Sequence, residues 1–202
     1  RLAAEGRSLL LTQGFREKKG WWWTARWEGL LTKLAKWLAD SLEVFRRLLE
    51  KLEAELETLT KAIEKAALAV RPKGMGGLTT EIIDREICDW KRFKNRRQVG
   101  SYTGLCGGIS SSGASHAQLS ITKHGNARLR TALIELAWRL VLWQPQCKLV
   151  QRWRRVFANP KATKAARKKA VVAVARQMAV DLWRWRTSKM KPEDFGWVMV
   201  GA

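Results

Sequence analysis

Eight apolar residues between Leu42 and Ala66 recur at alternating steps of three and four: Leu42, Phe45, Leu49, Leu52, Leu56, Leu59, Ile63 and Ala66. On an α-helix that spacing forms one continuous stripe, the a/d seam of a heptad repeat. Glu43, Arg46, Arg47, Glu50, Lys51, Glu53, Glu55, Glu57, Lys61 and Glu64 fill the positions between and supply a solvated face. No Pro or Gly interrupts the chain from Leu30 to Val70. The seam runs roughly 36 Å at 1.5 Å per residue. A stripe this long needs a partner helix, from within the chain or from a second copy. Ahead of it, Trp21, Trp22, Trp23 and Trp27 sit beside Arg16, Lys18, Lys19 and Arg26. Such a mixture can stack nucleobases and grip phosphates, or it can pack as a small core.

The segment Arg71-Pro72-Lys73-Gly74-Met75-Gly76-Gly77 ends the long helix. Leu78 to Cys88 then reads as a helix with Ile82, Ile83 and Ile87 inward. The glycine turn is like a helix-hairpin-helix, in which Gly74 and Gly76 let the backbone approach a phosphate. A basic run follows at once, Asp89 to Arg97, offering Arg92, Lys94, Arg96 and Arg97. Gln98 to Leu105 reads as a short helix, and Cys106 to Ser115, made of small residues, as a loop. Leu129, Leu133, Leu136, Leu140 and Trp143 mark a strong helix that Pro145 terminates. Ala165 to Trp185 marks another, with Val171, Val174, Met178 and Leu182 on one face and cations on or near the others. The expected fold is all-α (mainly α), in two parts: a Trp-rich segment with the coiled-coil helix over 1–70, and a helical domain over 71–202.

Charge divides the chain at Asp89. Up to that residue 16 Lys and Arg nearly balance 14 Asp and Glu; beyond it 23 face only Glu135, Asp181, Glu193 and Asp194. So much like charge opposes compaction unless a polyanion neutralises it, and nucleic-acid phosphate is the expected partner. An anionic membrane surface fits poorly, because the cations are not confined to one helix face. Cys88, Cys106 and Cys147 are odd in number and far apart, which suits a reducing compartment and argues against a disulfide framework. With His116 and His124 they do not make a zinc-ligand set. No stretch has the pattern of a signal peptide, and no apolar run reaches the ~18 residues a membrane span needs. The chain starts at Arg1 rather than Met, so a fragment or processed product is expected.

Several blocks stand in a fixed order: Arg92-Phe93, Arg97-Gln98-Val99-Gly100-Ser101-Tyr102-Thr103-Gly104-Leu105, Ser111-Ser112-Gly113, and Ile121-Thr122-Lys123-His124-Gly125-Asn126-Ala127-Arg128-Leu129-Arg130. In residues and spacing they resemble the insertion-sequence-110 family of transposases, also described as bridge-RNA-guided recombinases. The tail from Ala166 to Phe195 is similar to one branch of that family. The resemblance implies three parts: an N-terminal resolvase-like domain with an acidic metal site, a coiled-coil segment, and a C-terminal domain whose serine attacks DNA. This chain matches the last two. The acidic domain would hold Mg²⁺, and no metal site is expected on the chain itself. The family's nucleophile is the serine just before a glycine in the small-residue loop, which falls on Ser112, with Ser110 and Ser111 beside it. Its attack on phosphorus would give a phosphoserine link and a free 3′-hydroxyl. Lys123, Asn126, Arg128 and Arg130 are the implied phosphate contacts. The implied partners are DNA, a guide RNA and further copies of the chain, in the bacterial cytoplasm near the nucleoid. The chain departs from the pattern between Ala114 and Ser120, where family members are basic and this stretch has no Lys or Arg.

Two functions remain from different classes. One is a transposase C-terminal part with a catalytic serine. The other, which charge and heptads alone favour, is a non-catalytic nucleic-acid-binding dimerisation module.

Overall fold

The computed structural model describes residues 1–16, 22–24, 26–66, 70–112 and 115–201, with the backbone alone for 109–112 and 115–119. The chain divides into two compact units, Arg1–Ala62 and Ile63–Ala202.

The first unit holds α1 (Leu2–Thr12), α2 (Trp27–Leu31) and most of α3 (Lys36–Ala66). Its core is Leu10, Trp22, Trp23, Trp27, Leu30, Leu38 and Leu42. Trp22 is fully buried, meets Trp23 edge-on at 5.7 Å, and donates its indole N–H to the Ala3 carbonyl. The ring lies so close to α1 that a Cβ on Gly6 would stand 2.1 Å from it. These three tryptophans are therefore a core. Trp21, Lys18 and Lys19 of the mixed cluster lie outside the described residues.

Helix α3 confirms the continuous helix expected from the heptads. Only Leu38 and Leu42 are buried on it; Leu52, Leu56 and Leu59 are 44%, 61% and 59% exposed. Glu43 binds the guanidinium groups of Arg46 and Arg47, and Arg46 also reaches Glu50. The Arg46 guanidinium beside Glu43 holds that carboxyl down at about 2.

The second unit is built on two crossing helices, α6 (Ala127–Trp143) and α9 (Lys164–Arg186). Leu129, Leu133, Leu136 and Leu140 of α6 are fully buried with Val174, Met178 and Leu182 of α9 in one core. Each such side chain contributes about 1.5–3 kcal/mol by leaving water. Around this pair stand α4 (Gly77–Ile87), a 3₁₀ turn at Trp90–Arg92, α5 (Arg96–Thr103), α7 (Lys148–Gln151), α8 (Arg154–Phe157) and α10 (Pro192–Phe195). Thr163 starts α9 by accepting from the Ala166 N–H. No helix among the described residues is long and apolar enough to cross a membrane.

Two small antiparallel sheets complete the unit. Strand β1 (Arg71–Pro72) pairs with β4 (Met199–Val200) and joins the two ends of the unit. The glycine turn after β1 is packed rather than open. Gly74 has φ +90, and a Cβ there would meet Trp143 at 3.3 Å. Gln144 ties the turn to the tail by donating to the Lys73 carbonyl and accepting from the Val198 N–H. The other sheet is a hairpin, β2 (Gly107–Ser112) with β3 (Ser115–Ile121), where a loop was expected. Small residues carry no apolar alternation to announce a strand; here the pairing of one strand with the other creates it.

Candidate nucleic-acid interface

The hairpin is rooted where two chain segments cross at van der Waals limits. Gly104 ends α5 with φ +65, and a Cβ on it would stand 2.6 Å from the Gly125 N; a Cβ on Gly125 would stand 2.3 Å from the Gly104 N. Only two glycines permit this approach. Arg130 fastens the crossing: its Nη1 donates to the carbonyls of Lys123, Thr103 and Gly125. Asn126 caps α6 by accepting from the Leu129 N–H, and its Nδ2 donates to Glu86 at 2.6 Å. Arg128, 85% exposed, stands 3.6 Å from Glu86. The Ile-Thr-Lys-His-Gly-Asn block thus fixes the base of the hairpin as well as presenting cations. Lys123 is exposed beside it, with φ 59.

The basic run is held just as locally. Asn95 accepts from the N–H groups of Arg97 and Gln98, which starts α5 and leaves Arg96 and Arg97 exposed in its first turn. Lys94 is exposed, and its N–H donates to Gln98 Oε1. Arg92 lies 4.3 Å over the Tyr102 ring and 4.8 Å over Phe93. Arg92, Phe93, Tyr102, Gln98, His124 and Asn126 border a shallow cavity of about 640 Å³.

Arg96 and Arg97 also line a larger groove, of about 1030 Å³, with Arg152, Lys168, Lys169 and Arg176. Its walls are α5, the foot of the hairpin at Gly107, Ser120 and Ile121, the α7–α8 corner, and α9. All six cations are exposed, and among the described residues no acid lines the groove. Gly100 lets α5 close on α9: a Cβ there would stand 3.4 Å from Arg176 Nε. The nearby Asp181 is buried behind the groove, where burial pushes its carboxyl up despite hydrogen bonds from Gln177 and Arg184.

The charges are placed against local stability. A helix N-terminus favours acids in its first turn. Here α5 opens with Arg96 and Arg97, and α9 opens with Lys164 and Arg167 followed by Lys168 and Lys169; neither first turn has an acid. Of these cations, Arg96, Arg97, Lys168 and Lys169 line one concavity, which suits a polyanion. Sequence reasoning had singled out Arg96 and Arg97 but not Arg152, Lys168, Lys169 or Arg176. The available signal was the helical spacing of Lys168, Lys169 and Arg176 along α9.

Residues 66–151 match the family described as Transposase IS116/IS110/IS902. This segment is of the IS116/IS110/IS902 transposase family. It takes in α4, α5, the hairpin, α6 and α7, so one wall of the groove lies within the family segment and the other, on α9, follows it. Among curated relatives, y4rJ of Sinorhizobium fredii, provisionally named a transposase, is 33% identical over 119 residues, 59% of this chain and 30% of its own length. The transposase for insertion sequence element IS1111A of Coxiella burnetii is 35% identical over 89 residues, 44% of this chain and 24% of its own. The chain therefore spans less than a third of the length of these relatives.

Among the described residues no three His, Cys, Asp or Glu side chains stand together where a metal ion could be held. Ser112 is the last residue of β2 and pairs with Ser115, five residues from the groove wall at Gly107. Along a strand that is roughly 17 Å. Gly113, the glycine of the Ser-Gly pair, lies outside the described residues.

Proposed function

We propose that this chain is the nucleic-acid-holding and strand-cleaving part of a transposase. The groove of Arg96, Arg97, Arg152, Lys168, Lys169 and Arg176, with no acid in its lining among the described residues, carries the reading. It holds backbone phosphates, while Lys123 and Arg128 at the root of the hairpin extend the positive surface toward Ser112. The Ser112 hydroxyl attacks a phosphorus atom. The new bond is Ser Oγ–P, the bond broken is P–O3′, and the proton lost by serine is made good on the departing 3′-oxygen. The phosphodiester energy is kept in the phosphoserine link, so a second strand can be joined without ATP. Cations around the phosphorane offset its charge. In the whole transposase Mg²⁺, held by another domain, would supply Lewis-acid assistance, and a guide RNA would select the site. Self-association through the exposed half of α3 would bring two serines to the two strands.

A non-catalytic binding module is the second reading, and the exposed Leu52, Leu56 and Leu59 favour it as far as dimerisation is concerned. Both readings require the groove. Contact with about six phosphates gives a log–log salt slope near −5. Replacing Lys168 and Lys169 by Ala should make that slope shallower by nearly 2 and leave the helical content unchanged. A slope that stays the same takes the groove out of binding.

A further inference from the structure

We infer that the groove is shaped for an unpaired strand rather than a duplex, with Trp153 as its base-stacking surface and the Gln177 amide oxygen as a reader of base or sugar donors. The inference rests on the reading above that the groove takes nucleic acid.

Shape is the first ground. Proteins that read duplex DNA push a convex element, a helix or a two-stranded ribbon, into a groove ≈12 Å wide. Here the cations line a hollow between α5, the hairpin foot, the α7–α8 corner and α9. A rigid rod rides over the rim of such a hollow; a flexible single strand enters it. Trp153 is the second ground. It is half-buried, packs against the core from one side, and lines the groove beside Arg152, Lys168 and Lys169. A charged channel with an aromatic ring in its lining is how proteins grip single strands, because every base has a π-face. A duplex keeps its faces stacked on one another.

Gln177 is the third. Its Nε2 donates to Asp181 Oδ1 at 2.7 Å. Asp181 also accepts from Arg184 and so acts as an acceptor, which fixes the amide with its nitrogen inward. That leaves Gln177 Oε1 as an acceptor, with no hydrogen bond to it among the described residues, in a lining otherwise rich in donors. Phosphate oxygens cannot donate to it. The N–H groups on the pairing edge of an unpaired base, or a ribose 2′-hydroxyl, can. In a duplex the pairing edges are already occupied.

The test uses the full 202-residue chain and three probes at one salt concentration: a labelled oligothymidylate, a blunt duplex of equal length, and inorganic polyphosphate as a charge-only competitor. Fluorescence anisotropy should show the single strand bound tighter than the duplex. Trp153→Leu keeps apolar packing without the ring and should weaken single-strand binding about tenfold. It should leave duplex and polyphosphate binding unchanged. Trp153→Phe should retain most of the affinity. Equal affinity of the unaltered chain for single strand and duplex overturns the inference, whatever the Trp153 variants do. A Trp153→Leu loss that extends equally to polyphosphate overturns the stacking role. If Lys168→Ala with Lys169→Ala weakens binding of none of the probes, the underlying groove reading is what has failed.

Discussion

The two longest helices among the described residues differ in how far burial follows the apolar pattern of their sequences. Helix α3 has a continuous apolar seam, yet beyond Leu42 that seam is half-buried at best, and Leu52, Leu56 and Leu59 are exposed. Helix α9 carries cations from Lys164 to Arg186 around the one apolar face of Val171, Val174, Met178 and Leu182, yet ten of its residues are buried, Asp181 among them. The difference lies in what surrounds each. α9 is packed by α5, α6, α7 and α8, so several of its faces are inside and the remaining one lines the groove. The distal half of α3 has an interface pattern, and its Leu52, Leu56 and Leu59 are exposed. Amphipathicity reports what a helix is built to meet, and burial reports what it has met.

The largest effect should come from charge on α9. Replacing Lys168, Lys169 and Arg176 together by Ala is expected to lower nucleic-acid affinity by about 10²-fold at 0.1–0.2 M salt, read by anisotropy, while the same number of Lys→Ala changes on α3 should do little. Core truncation comes next. Leu133→Ala on α6 or Leu182→Ala on α9 should cost about 2–5 kcal/mol in denaturant unfolding, whereas Leu56→Ala should cost well under 1 kcal/mol in the isolated chain. Should Leu56→Ala cost as much as Leu182→Ala, the seam is already packed. Association is the third case. Leu52→Asp with Leu56→Asp should convert an oligomer to a monomer in sedimentation without disturbing the second unit; a chain that sediments as a monomer before the change removes the self-association proposal.

A smaller effect belongs to Glu43. Its folded carboxyl titrates near 2, below its ordinary 4.5, because Arg46 and Arg47 hold it ionised. The stabilisation is present above about pH 4.5 and is lost as pH falls toward 2. Arg46→Ala should flatten that part of the acid unfolding curve; an unchanged curve would deny the pair any role.

The long elements were legible because periodicity and punctuation agree: the heptads of α3, the Leu ladder of α6 ended by Pro145, the break at Arg71 to Gly77. The hairpin was not, since residues 107–112 are Gly, Ile and Ser and acquire strand geometry only from their partner. The groove was half legible. Arg96 and Arg97 stand in a visible basic run, but the α9 wall depends on which side of a charged helix the fold turns outward. Arg130 shows a related point: the sequence offers it as a phosphate contact, and nothing in the sequence announces that its Nη1 also donates to three backbone carbonyls.

The proposed function joins a cationic groove to a serine at the end of a hairpin, and one gel tests the junction. Labelled target DNA is incubated with the whole transposase, Mg²⁺ and the proposed guide RNA, then run under denaturing conditions alongside the Ser112→Ala variant. A covalent protein–DNA band that disappears with Ser112→Ala, while salt-dependent binding is unchanged, is the predicted result. A band that survives Ser112→Ala but vanishes with Ser111→Ala would shift the nucleophile by one position. Active enzyme with no covalent band at all would contradict the serine mechanism and leave the chain a binding module.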